Sequence, residues 1–112
     1  RLIHAELHRD VTDQQLLSVL PPTPAVGGVP RESALAFIRH HESHQRGWYA
    51  GVFGKISHAS SELAVTIRCA HIGPEAIRLY AGAGIVAGSQ PDEEWRELDT
   101  KIAGIMSLLG MG

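Results

Sequence analysis

The chain has 112 residues, the size of one small domain. It is 44% hydrophobic and 20% charged, which excludes a disordered chain, and its formal net charge of −2 excludes the basic footprint of a nucleic-acid binder. No apolar run is long enough to span a membrane, and the single cysteine, Cys69, excludes an intrachain disulfide and a cysteine metal cluster.

RLIHAELHRD at the start carries charge and no long apolar core, so it does not read as a signal peptide. It opens at Arg1 without an initiator methionine, and a processed, truncated or fragment product is expected. Residues 2–8 read as a strand with imperfect alternation. Thr12 or Asp13 can cap a short helix over 13–20, which ends before Pro21 and Pro22. PPTPAVGGVP, residues 21–30, reads as a rigid turning connection with little regular structure. A helix is expected over 31–42. Its apolar stripe is Ala34, Leu35 and Ile38, with Phe37 a further candidate, while Arg31, Glu32 and Arg39 face water. Residues 47–58 read as a strand, with Gly51 and Gly54 marking bulges or close backbone approach. A turn at 58–62 leads into LAVTIRCAHI, residues 63–72, the clearest strand. GPE turns the chain into AIRLYAGAGIV, residues 76–86, and residues 89–92 turn it into a final helix over about 92–109.

Short loops make the last three strands antiparallel. The expected fold class is therefore α+β, one small antiparallel sheet with three helices packed on it and no internal domain boundary.

Chemistry concentrates near the end of the chain. On the final helix Trp95, Leu98, Ile102, Ile105 and Leu109 form an apolar stripe, and Glu94, Glu97 and Lys101 share another side. Such a row is either a solvated, internally paired face or half of a divalent-cation shell. The glycine-rich segment from Ala81 to Gly84 offers either a close backbone crossing or exposed N–H groups for a carboxylate. It is neither a phosphate loop nor a dinucleotide fingerprint. Arg68 interrupts an apolar strand, where it needs an acid partner: a structural ion pair or a bound carboxylate. Alternation puts Val65, Ile67 and Cys69 on one side and Thr66 and Arg68 on the other, and Cys69 reads as a small core residue. Tyr49 can serve as a hydroxyl donor or as packing, and Trp48 reads as packing. The seven histidines show no metal-binding spacing and receive no catalytic role.

Five separated stretches, in order, resemble the C-terminal portion of the chorismate-utilising enzymes: TPAVGG (23–28), RGWYAG (46–51), TIRCA (66–70), RLYAGAGIV (78–86) and EEWRE…K (93–101). The resemblance covers nearly the whole chain but only about the last quarter of a family enzyme. Within the family, RLYAGAGIV followed by GSQPDEEWRELDTK is most similar to the isochorismate synthases of menaquinone biosynthesis. Siderophore-pathway isochorismate synthases and anthranilate synthase-like enzymes are the alternatives. A small non-catalytic α+β interaction or ligand-binding domain is the alternative of another class.

The resemblance implies residue roles. Glu94 and Glu97 would ligate Mg²⁺, and Lys101 would neutralise and position that cluster at the substrate. Arg68 would clamp a chorismate carboxylate with help from Tyr49. The backbone of Gly82, Ala83 and Gly84 would complete carboxylate binding, and Thr23 would line the ring side of the cleft. It further implies that the general base and general acid, a lysine and a glutamate, lie in an N-terminal part outside these residues. That part is the expected partner, with self-association through exposed apolar surface, no nucleic acid, no membrane and a cytoplasmic location. One departure stands out: where relatives commonly read LHPTPA, this chain has Leu20-Pro21-Pro22-Thr23, so Pro21 removes any contact made by the usual histidine.

Overall fold

The computed structural model describes residues 2–8 and 10–111. Residues 2–8 form no regular structure, and Leu2 and Ile3 are 81% and 82% exposed, so the expected first strand is corrected. A strand needs a neighbour for its backbone groups, and no described strand pairs with this segment.

Helix α1 (Asp13–Val19) begins as anticipated. The Thr12 hydroxyl accepts from Gln15 N at 3.3 Å, and Thr12 N donates to Gln15 Oε1 at 2.8 Å, which closes a capping box. The proline-rich connection is more ordered than expected. It contains one helical turn, α2 (Pro24–Gly27), with Pro24 in its first turn. Gly28 ends that turn at φ 81°, and a Cβ there would lie 2.7 Å from the Ala34 methyl group. Helix α3 (Arg31–His41) half-buries Ala34, Leu35 and Ile38, whereas Phe37 is 62% exposed and stacks on the His41 ring at 3.9 Å. Arg31, expected to face water only, donates to the carbonyls of Leu20, Pro21 and Pro22 at 3.4, 2.5 and 3.0 Å. The prolines break regular pairing, and the planar guanidinium collects the carbonyls left over.

The strands form two antiparallel ribbons instead of one sheet. In the first, β1 (Val52–Ile56) pairs with β2 (Ser61–Val65), with Val52 opposite Val65 and Ile56 opposite Ser61. In the second, β3 (Cys69–Ile72) pairs with β4 (Ile77–Tyr80), with Cys69 opposite Tyr80. The expected single strand 63–72 divides because Arg68 adopts φ 48°, a left-handed conformation that breaks the alternation. The expected strand 47–58 begins only at Val52, because residues 46–51 turn. Tyr49 N donates to Arg46 O at 2.9 Å and Gly51 N to Trp48 O at 3.1 Å. Ala50, at φ 64°, ties this turn to the end of β2 by donating to Thr66 O at 2.8 Å. The last expected strand stops at Tyr80, which leaves residues 81–86 irregular.

Helix α4 (Pro91–Leu108) packs on β4, with Leu98 and Ile102 half-buried and Ile105 buried. Trp95 on the same stripe is 67% exposed. The α+β class therefore holds, with an added helix and a divided sheet. Among the described residues the buried hydrophobic side chains are Ala50 and Ile105 alone. Trp48, read as packing, is 89% exposed.

Candidate functional site

The two irregularities that break the strands also shape a cleft. The 46–51 turn, the break at Ile67 and Arg68, the irregular 81–85 segment and one face of α4 surround a space of about 690 Å³. Tyr49, Arg68, Gly82, Ala83, Gly84 and Lys101 all line it. Thr23, Glu94 and Glu97 lie outside its lining. Thr23 caps α2, accepting at its carbonyl from Val26 N and Gly27 N at 3.0 and 2.8 Å.

Lys101 joins the cleft to the carboxylate row. Its Nζ donates to Gly82 O at 2.9 Å and pairs with Glu97 Oε1 at 2.5 Å. The ammonium therefore spends two of its three donors on the protein and keeps one for a ligand. Glu97 sits half in solvent with its side chain 54% exposed, and Glu94, one turn earlier on α4, is half-buried. Arg68 is exposed, and among the described residues it enters no salt bridge, so the structural-ion-pair alternative finds no partner here. Its guanidinium fork is available to a carboxylate.

Tyr49 is a half-buried aromatic of the cleft. It stacks on Tyr80 with ring centroids 6.0 Å apart and an interplanar angle of 16°. A Cβ built on Gly82 would collide with the Tyr49 hydroxyl, so glycine there lets the ring approach closely. Partial burial pushes the Tyr49 phenol above its ordinary pKa, against the opposing pull of the Arg46 and Lys101 charges.

Sequence reasoning gave no role to five polar or aromatic lining residues: Glu42, His44, Arg46, Tyr80 and Asp99. Arg46 Nε and Nη2 donate to the two Glu42 carboxylate oxygens at 2.8 and 2.5 Å, and Nη1 donates to Val26 O at 2.8 Å. That hydrogen bonding holds the Glu42 carboxyl below its ordinary pKa and raises the Arg46 guanidinium. The signals were present in the four-residue spacing of Glu42 and Arg46 at a helix end, and in the arginine that opens RGWYAG.

Glu94 and Glu97 fit a divalent cation in kind. They are hard oxygen donors on one helix, three residues apart, and Glu97 pairs with Lys101, which lines the cleft beside Arg68. They do not make a full shell, since the described residues contain no group of three or more acidic, histidine or cysteine ligands. Such a pair suits Mg²⁺, which commonly takes one or two carboxylates and fills the remainder with water and substrate.

Comparison with known proteins identifies the family. The family profile described as chorismate binding enzyme matches residues 1–110, and the chain belongs to that family. Among its relatives, the isochorismate synthase MenF of Haemophilus influenzae is 47% identical over 108 residues, which is 96% of this chain and 25% of the relative. That of Escherichia coli K12 is 52% identical over 95 residues, covering 85% of this chain and 22% of the relative. That of Pasteurella multocida is 41% identical over 113 residues, covering 97% and 26%. The chain thus spans about a quarter of the length of the curated relatives it matches. No solved structure matches it. Among the described residues no helix is long and apolar enough to cross a membrane.

Proposed function

We propose that this chain is the C-terminal portion of a cytoplasmic, Mg²⁺-dependent isochorismate synthase serving menaquinone biosynthesis, and that it supplies the carboxylate-binding half of the active site. The observation carrying this reading is convergence. Six residues singled out from separate sequence stretches line one cleft, and the chain aligns along most of its length with isochorismate synthases.

Chorismate is a dianion at neutral pH, and the cleft is arranged for anionic groups. The Arg68 fork binds one carboxylate in two-point geometry, and the Tyr49 hydroxyl donates to it from the facing wall. Backbone N–H groups from Gly82 to Gly84 donate to the same carboxylate where side chains would block approach. Lys101, anchored on Gly82 O, adds a cation through its remaining donor. Thr23 lines the ring side once the rest of the enzyme closes over it. Glu94 and Glu97 hold Mg²⁺, which when bound screens and orients a substrate carboxylate.

In the reaction, water adds at ring C2 and the C4 hydroxyl departs as water, while both ring double bonds shift along C1, C6 and C5. A general base takes the proton of the attacking water and a general acid protonates the leaving oxygen. Neither role is assigned to a residue of this chain. They belong to the remaining three-quarters of the enzyme, and these residues hold the substrate in place for them.

The test is reconstitution. The purified chain is incubated with chorismate and Mg²⁺, alone and with the separately expressed remainder of the enzyme, and the products are separated chromatographically. Isochorismate is expected only from the mixture. Turnover by this chain alone would sink the division of labour. Anthranilate formed with ammonia by the intact enzyme would replace the activity.

A further inference from the structure

Arg46 links three parts of the cleft wall, and no role has been assigned to it above. Its fork grips Glu42 at the end of α3, its Nη1 reaches Val26 O in α2, and its guanidinium carbon lies 5.5 Å from the Tyr49 ring centroid. Tyr49 passes the connection on by stacking on Tyr80 of β4 and abutting Gly82. Within this chain apolar packing adds little to this holding, because among the described residues Ala50 is the fully buried hydrophobic residue of the region. We infer that Arg46 is a positioning residue: gripping Glu42 and Val26 O while its guanidinium carbon lies over the Tyr49 ring, it fixes the Tyr49 hydroxyl against Gly82.

This inference rests on the reading of the cleft as the chorismate site, and it adds a determinant of substrate affinity. Arg46 acts through Tyr49. The planar fork and flat face are both needed, so lysine, a point charge on a flexible stem, does not replace it. An ion pair that served stability alone would leave Tyr49 in place when removed.

The test uses the intact protein labelled with 3-fluorotyrosine. The Tyr49 fluorine resonance is assigned by its loss in Tyr49→Phe. In Arg46→Met and in Arg46→Lys it is expected to move toward the resonance of the free amino acid. Glu42→Gln, which keeps the arginine and removes its charged partner, gives a smaller move the same way. A Tyr49 resonance unmoved in folded Arg46→Met and Arg46→Lys proteins overturns the inference. If both fail to fold, Glu42→Gln decides by the same criterion. For substrate, Arg46→Met is expected to raise the KM for chorismate about tenfold with kcat nearly unchanged, and to add little in a Tyr49→Phe background. Additive effects in that cycle also overturn it. If the wild-type protein neither binds nor converts chorismate, the proposed function fails, and the fluorine resonance still decides the role of Arg46.

Discussion

Two glycines two residues apart do different work. Gly82 is packed from within, because a side chain there would strike the Tyr49 hydroxyl. Gly84 has no atom within 4 Å of where its Cβ would lie, although it lines the cleft. Gly82→Ala should therefore displace Tyr49 and destabilise the free protein by about 1–3 kcal/mol, the usual range for overpacking. Gly84→Ala should leave stability within about 0.5 kcal/mol of the parent and weaken chorismate binding through the ligand alone. Thermal unfolding of the two variants without ligand separates these cases, and calorimetric titration with chorismate completes the comparison. Equal destabilisation by both would refute the distinction. The same scale shows what the sequence could reveal. The glycine-rich string was visible as a place for close approach, but which glycine faces protein and which faces open space depends on the Tyr49 ring, about thirty residues earlier in the chain.

At the scale of elements, the helices were the most legible part. Thr12 with Gln15 and Pro91 at the start of α4 are local signals, and local signals suffice for a helix boundary. The strands were less legible, because LAVTIRCAHI alternates well enough to pass for one strand. Its division at Arg68 comes from a positive φ that neither arginine nor its neighbours advertise. That break turns one expected sheet into two ribbons and puts Arg68 at the cleft. Local preference and structure part company where the candidate site lies, as they do when a backbone is shaped by function. Element α4 carries a prediction of its own. Glu97 is tied to the cleft only through Lys101, which also holds Gly82 O. Glu97→Gln should lower the affinity of the intact protein for Mg²⁺ about tenfold or more and leave helix content unchanged, since the side chain is largely in solvent. Lys101→Met should instead weaken chorismate binding, by releasing Gly82. Magnesium titration by calorimetry, with circular dichroism as the control, reads the first. An unaltered Mg²⁺ affinity in Glu97→Gln would remove Glu97 from the metal site.

At the scale of the whole molecule, the dominant fact is how little apolar surface this chain hides. Trp48, Phe53 and Ile85 are 89%, 75% and 72% exposed, and Leu108 on the final helix is 89% exposed. Exposed hydrophobic residues are ordinary one by one, but a chain whose buried hydrophobic side chains among the described residues are Ala50 and Ile105 has left most of its packing to be done by something else. The two ribbons repeat the point in hydrogen bonds. Each has two strands and therefore two unpaired edges, and isolated two-stranded ribbons are marginal in water. The relatives are about four times as long, so their chains hold further sequence of the size such a cover needs. In its absence the exposed faces should find one another. The isolated chain should sediment as species whose average mass rises with concentration, and addition of the separately expressed remainder should convert them to a single complex of one copy of each. The second step decides the matter, because a chain that stays monomeric and indifferent to the remainder would have to be a self-sufficient domain. That result would favour the ligand-binding-domain alternative over the split active site.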